Sequence, residues 1–322
     1  MNETSTVRSR SKLLLQIRNQ PKSKLLKKVV KSKYLLLMFL PCLVYYIIFK
    51  YLPMFGIVIS FKDYNLYKGI WASEWVGFKY YNMFFNGPDF WILLRNTFLL
   101  GIYKLLFGFP APIILALLLN EVKNILFKRF VQTVSYLPHF ISNVIVAGMV
   151  TMFLSPSTGF VNKIINSFGF QSIHFMNNPD MFRSIYVTSE IWQHIGWETI
   201  IYLAALTSID PSLYEAADID GATRRNKLWH VTLPGIASTI IILLILNVGK
   251  VLEIGFEKVF LLYNPATYST ADIFSTYVYR TGLVNGNFSY AAAVDLFTGV
   301  VCLFFIYTTN YMSRKISQTS LW

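Results

Sequence analysis

The chain has 322 residues, of which 54% are apolar, 17% aromatic and only 14% charged, and its 29 Lys and Arg outnumber 16 Asp and Glu for a formal net charge of +13. A soluble globular chain carries about 25% charged and roughly 45–50% apolar residues, so this composition excludes a soluble enzyme, and so apolar a chain does not remain solvated as a disordered one. Cys42 and Cys302 are the only cysteines and both lie in apolar stretches, which excludes a disulfide scaffold.

The first element is a basic leader, residues 1–33, which holds ten Lys and Arg. Its Lys22, Lys24, Lys27, Lys28, Lys31 and Lys33 stand among Leu13, Leu14, Leu25, Leu26 and Val29. Two readings stay open: a helix lying on anionic lipid, or an anchor that fixes orientation. No nucleic-acid partner is expected, because a basic pI in a membrane protein reflects topology and no recognition module is visible.

Six stretches then satisfy the need for about 20 mostly apolar residues to cross the hydrocarbon. They are Tyr34 to Phe61, Leu94 to Leu119, Val131 to Leu154, Ser184 to Ile209, Leu233 to Leu262 and Phe288 to Met312. With both ends inside, the inner segments hold 18 of the 29 basic residues, the asymmetry expected of cytoplasmic loops. The first stretch is too long for a signal-peptide core and no small-residue cleavage site follows, so it is expected to remain attached. The expected fold is therefore an all-α integral membrane protein with six transmembrane helices and both termini cytoplasmic. A single membrane domain over 34–312 follows the leader, and 313–322 form a short cytoplasmic tail.

Within these stretches several charges sit at membrane depth, where each costs about 2.5–3.5 kcal/mol unless it meets a partner or a wet cavity. On the fourth, Glu190, His194 and Glu198 recur every four residues and fall within about 80° of arc. Tyr186, Gln193 and Trp197 join that face. The stripe suits a sugar path, because such side chains offer hydrogen bonds to hydroxyls and flat surfaces to C–H faces. It equally suits a polar seam buried against a neighbouring helix. A metal site lacks a cysteine or second histidine placed to complete it. On the fifth stretch Lys250, Glu253 and Glu257 lie within about 60° of arc; Lys250 and Glu253, spaced to pair, join Glu190, Gln193, His194, Trp197 and Glu198 as candidate path residues. Sequential Glu257 and Lys258 are expected to point apart. Lys50, Lys104 and Asp295 are further intramembrane charges whose partners one sequence does not choose. Prolines 41, 53, 110, 112 and 138 are expected to bend their spans.

The loop between the fourth and fifth stretches reads DPSLYEAADIDGATRRNKLWHVTLPGI. Asp210 can cap a helix that opens on Pro211, and Gly221 can end it in a left-handed turn. A second short turn from Ala222 to Trp229 leads to Pro234, where the fifth span is expected to begin. Small Ala216 and Ala217 permit close approach, and Glu215, Asp218, Asp220, Arg224 and Arg225 charge the edges. The pattern Glu215-Ala216-Ala217, then Gly221, then Val231 and Leu233-Pro234, resembles the signature of permease subunits of binding-protein-dependent ABC importers. Val231 stands where that family has isoleucine.

GFKYYNMFF from Gly77, Asn96-Thr97, SYLPHFIS from Ser135, GWETIIYLAAL from Gly196 and TYVYRTGL from Thr276 resemble the carbohydrate-uptake permeases, in the LplB or YteP branch for polysaccharide-derived oligosaccharides. The resemblance implies that Glu215, Ala216, Ala217, Asp220, Gly221, Leu233 and Pro234 form a coupling helix seated on an ATPase. It also implies a homologous second permease subunit, two cytoplasmic ATPase subunits, an extracellular solute-binding lipoprotein and an oligosaccharide substrate in a bacterial cytoplasmic membrane. ATP and Mg2+ then belong to the partner ATPase, and the chain itself is expected to be non-catalytic and to bind no cofactor. It has no phosphate-cradling Gly-Lys-Ser or Gly-Lys-Thr loop, paired-histidine zinc helix or serine elbow. The alternative class is an ion-gradient-driven secondary transporter using the intramembrane carboxylates. A membrane-bound carbohydrate enzyme is more remote, because no carboxylate pair can be placed in a wet cleft.

Overall fold

The computed structural model describes residues 32–249, 251 and 254–317. Most of the basic leader, the pair Lys250 and Glu253, and the last residues of the tail lie outside the described residues. The described chain is helical apart from loops and one two-stranded antiparallel pair, β1 (Lys62–Asp63) and β2 (Glu74–Trp75). It divides into two compact units after Val58.

The first unit is dominated by α1 (Lys33–Phe61), whose turns bury no side chain before Ser60. Leu37, Met38, Phe49 and Phe55 are all exposed apolar side chains on it. Between its ends, and apart from Lys50, the helix is apolar on every side and has no polar face to offer water, as suits lipid.

The second unit contains α2 (Lys79–Phe85), α3 (Asp89–Glu121), α4 (Ile125–Phe140), α5 (Asn143–Phe153), α6 (Phe160–Ser167) and α7 (Pro179–Thr207). The loop helix α8 (Pro211–Ile219) follows, then α9 (Arg224–Gly249), α10 (Phe256–Leu262), α11 (Phe274–Val278) and α12 (Phe288–Ser317). Among the described residues α1, α3, α9 and the last helix through Tyr311 are long and apolar enough to cross a membrane, and the bent pair α4 and α5 makes a fifth. Helix α7, the expected fourth span, is long enough at 29 residues but carries Asp180, Arg183, Glu190 and Glu198, which lower its apolarity.

Two expected spans are built differently. The third is not straight: α4 and α5 meet at 105°. The turn falls at Ile141 and Ser142, just beyond Pro138, where Ser142 accepts from the Ile145 backbone N–H and starts a new helix. The fifth does not begin at Pro234 or run to Leu262. Helix α9 is continuous from Arg224 to Gly249, and Phe256–Leu262 is a separate helix after a break. Pro234 is tolerated inside α9 because the preceding turn, Leu228–Thr232, widens to i→i+5 bonding, which removes the demand on the missing N–H. The same widening precedes Pro53, at Ile47–Tyr51, and Pro110, at Lys104–Gly108. These prolines therefore loosen the backbone ladder, whereas the sharp bend follows Pro138.

Helix α7 is the axis of the second unit. Its Phe182, Tyr186 and Val187 join Leu100, Ala147, Val259 and Ile273 in one core, while Tyr202 and Leu206 pack with Ala116 and Ile236 in another. A third core joins Tyr80 and Phe84 of the GFKYYNMFF run to Phe274, Tyr290 and Val294. Close approach is set by glycine at Gly196, where a Cβ would collide with the Ser135 carbonyl, and at Gly101, where it would collide with that of Val251.

Candidate functional site

The polar stripe of α7 carries three of the six ion pairs among the described residues. Glu190, 9% exposed, is held by two ammonium groups: Lys258 Nζ lies 2.9 Å from its Oε1 and Lys104 Nζ 3.1 Å from its Oε2. Lys258 is 2% exposed and also donates to Gln193 Oε1 at 2.8 Å. Gln193 in turn donates to the Ile141 carbonyl at 3.0 Å and to Asn143 Oδ1 at 3.2 Å, and Asn143 donates to Glu257 Oε2 at 2.7 Å. Four helices, α3, α5, α7 and α10, thus converge on two side chains of the stripe. Glu257 and Lys258, although sequential, reach different members of one network, because Asn143 and Glu190 flank Gln193 on either side.

From His194, about one turn beyond Glu190, the stripe changes character. His194 Nδ1 lies 3.0 Å from His139 Nδ1, so one ring donates and the other accepts. The His139 ring stacks on Trp197 at 4.6 Å with 1° between planes, and Phe140 meets the same indole edge-on. Trp197 and Glu198 are exposed, and Glu198 lines a small crevice with Lys104, Glu190, His194 and Asn247. The expected stripe is therefore a buried ionic half, Glu190 and Gln193, and an open aromatic and acidic half, Trp197 and Glu198, with His194 between them. Among the described residues no three His, Cys, Asp or Glu side chains are placed to hold a metal ion.

Lys104, Lys258, His139 and Asn143 complete this arrangement and were not among the expected path residues. Lys104 and Lys258 carried a signal, as charges in apolar stretches, but which helix each would meet depends on packing. Asn143 carried none.

The loop between α7 and α9 is an elbow braced by local contacts. Asp210 accepts from the Ser212 backbone N–H at 2.9 Å, which opens α8 on Pro211 and holds the Asp210 carboxyl below the usual carboxylate range. Gly221, at φ +71°, turns the chain after α8. Thr223 then accepts from the Asn226 backbone N–H and starts α9. An ion pair from Lys227 to Asp218 closes the elbow, and Tyr214 hydroxyl bonds Thr232 at 3.0 Å. Glu215, Ala216, Asp220 and Pro234 are exposed, and Ala217 and Leu233 half-buried. Leu213 and Ile219 stand out from α8, Ile219 at 87% exposed. An exposed apolar surface on a braced elbow is one shaped for a partner.

Other motif residues are scaffold. Buried Asn96 donates to the Ser269 and Asp272 carbonyls and accepts from Arg183, and Thr97 accepts from the Phe274 backbone N–H. Arg280 pairs with Asp272 and lies 4.4 Å over the Tyr268 ring.

Residues 108–318 match the family described as the inner membrane component of binding-protein-dependent transport systems. Protein LplB of Bacillus subtilis is 50% identical over 90% of this chain and 92% of its own. The polygalacturonan/rhamnogalacturonan transport system permease protein YteP of the same organism is 47% identical over 95% of each. A chain from the crystal structure of a bacterial ABC transporter involved in import of the acidic polysaccharide alginate superposes with a TM-score of 0.85 at 44% identity, over 91% of this chain and 99% of that one. On this evidence the chain belongs to the inner-membrane permease family of binding-protein-dependent ABC importers and is a multi-pass protein of the cytoplasmic membrane.

Proposed function

We propose that the chain is one permease subunit of an ATP-driven importer that carries an oligosaccharide across the cytoplasmic membrane after an extracellular binding protein delivers it. The observation that carries this reading is the braced elbow, whose Leu213, Glu215, Ala216 and Ile219 face outward. A separate ATPase would seat on that surface and move α7 and α9 as rigid bodies, switching the bundle between two packed arrangements. ATP and Mg2+ are held by that partner, and a homologous second permease completes the pore.

The substrate class is supported by the names of YteP and of the alginate importer, a second structure of which holds an alginate pentasaccharide-bound periplasmic protein. The open half of the α7 stripe supports it independently. The stacked His139 and Trp197 offer an aromatic surface to a sugar ring and Glu198 accepts from its hydroxyls. On this reading Glu190 and Gln193 brace the wall, while Trp197 and Glu198 face the passenger.

The test is purification of the complex followed by uptake. Co-elution with an ATPase, and ATP hydrolysis raised by sugar-loaded binding protein, are expected. Trp197→Ala and Glu198→Gln are expected to cut uptake in fully assembled complexes; equal loss of assembly in both would return the whole stripe to a structural seam. Uptake by the chain alone, driven by an ion gradient, would overturn the proposal.

A further inference from the structure

We infer a second carbohydrate subsite, separate from the α7 stripe, in a cleft between α10, the segment from α11 to Val284, and α12. It would take one neutral pyranose unit of the transported oligosaccharide. The cleft has a volume of about 370 Å³ and is lined by Phe256, Ser275, Tyr279, Phe288 and Asp295. That volume lies within the range of small-ligand sites, roughly 300–1,000 Å³.

Three features of its wall point to a sugar. The Phe256 and Tyr279 rings meet at 5.3 Å and 49°, forming a bent aromatic surface of the kind that receives C–H faces. Ser275 Oγ is buried and has no hydrogen-bond partner among the described residues, an uncommon and costly state for a native hydroxyl. Asp295 projects from α12 two turns in from Phe288, about 10 Å along the helix. It is exposed on this chain and has no ion pair among the described residues. A carboxylate at membrane depth faces a partner or a wet cavity.

A lysine from a neighbouring subunit would satisfy Asp295 alone. A pyranose ring answers all three features at once, since its hydroxyls donate to the carboxylate, its C–H face covers the rings, and the unpartnered Ser275 Oγ, closed off from solvent here, reaches a sugar hydroxyl by rotating about χ1. The same carboxylate repels a uronate, so the unit accepted is neutral. Close packing beneath the cleft is set by Gly282, where a Cβ would press to 2.7 Å on Ala291 Cβ.

The subsite also communicates with the ionic network. Phe256 opens α10, and the next two residues are Glu257, bound to Asn143 at 2.7 Å, and Lys258, bound to Glu190 at 2.9 Å. A ring resting on Phe256 therefore bears on the helix that carries the bridge to α7.

This inference rests on the carbohydrate-import reading, and the test separates the two. The complete importer is reconstituted in liposomes with its binding protein and given two probes: a tetrasaccharide alternating galacturonate and rhamnose, and tetragalacturonate. The readout is the ratio of their uptake rates, with co-purification of the second permease measured in parallel. Asp295→Asn is expected to lower the ratio about tenfold, the loss of one charge-assisted hydrogen bond, and Ser275→Ala to lower it about threefold, in assembled complexes. An unchanged ratio in both variants overturns the subsite and leaves sugar import standing. Loss of the second permease from Asp295→Asn also overturns it, by giving Asp295 to a subunit interface. An unaltered importer whose uptake and ATP hydrolysis respond to no oligosaccharide-loaded binding protein overturns the carbohydrate reading and the subsite together.

Discussion

Lys258 donates to Glu190 and to Gln193 from a position that is 2% exposed, so its charge is tolerable only while Glu190 is ionised. Removing one member of a buried pair costs about 3–5 kcal/mol, whereas replacing both by apolar groups is often neutral. Glu190→Gln is therefore expected to lower the thermal midpoint of the purified complex, and Glu190→Gln with Lys258→Met to recover most of the loss. A double variant no better than the single one would show that the pair is not the coupled unit. Tyr80, outside the spans, gives a second residue-scale prediction. Burial, and then its hydrogen bond to Asp63 at 2.7 Å, push its hydroxyl up to about 12. A phenol with a raised folded-state pKa contributes stability that is complete below its ordinary value near 10 and is lost as pH rises through the folded value. The segment around α2 is expected to open between about pH 10 and 12, seen as faster amide exchange. Tyr80→Phe is expected to remove that alkaline step. Asp63 acts in the opposite range: the Tyr80 hydroxyl, and then Lys79, hold it below the usual carboxylate range, so its contribution is present above about pH 4 and fades in acid.

Among the elements, the elbow around α8 depends on Gly221. Its φ of +71° is left-handed, and a Cβ there would meet nothing within 4 Å. Substitution therefore strains the backbone, by about 1–2 kcal/mol, without any clash. Gly221→Val is expected to leave the protein inserted and assembled while cutting uptake and ATPase stimulation. Gly221→Asn, whose side chain tolerates that conformation, is expected to retain more of both. Equal, unimpaired uptake by the two variants would remove the elbow from the coupling path. This position was legible because glycine after an amphipathic run, preceded by Asp-Pro at the start, is a local signal. A bend at Pro138 was legible too, from its missing N–H, but its 105° size and the separation of α10 from α9 were not, since they depend on what the chain packs against at membrane depth.

Over the whole molecule, the elbow and the loop from Leu154 to Asn178 are expected on opposite sides of the membrane. With Cys42 and Cys302 replaced and the permease expressed without its ATPase subunits, Glu215→Cys is expected to react with an impermeant thiol reagent only in inside-out vesicles, and Asn166→Cys only in intact cells lacking an outer barrier. Reaction of Glu215→Cys from outside would invert the topology and end the coupling proposal.

By itself the sequence determined the solvent of this protein, through a 14% charged composition. It also determined the elbow, because caps, a proline start and a left-handed glycine act over a few neighbouring residues. The face shared by Glu190, Gln193, His194, Trp197 and Glu198 followed from helical periodicity alone. Only the tertiary structure decided that Lys104 and Lys258 clasp Glu190, that Asn143 and Glu257 extend the network, and that His139 stacks on Trp197. Those partners are brought together from separate helices, and an isolated charge in an apolar stretch states that it needs a counter-charge without stating where on the chain that counter-charge lies.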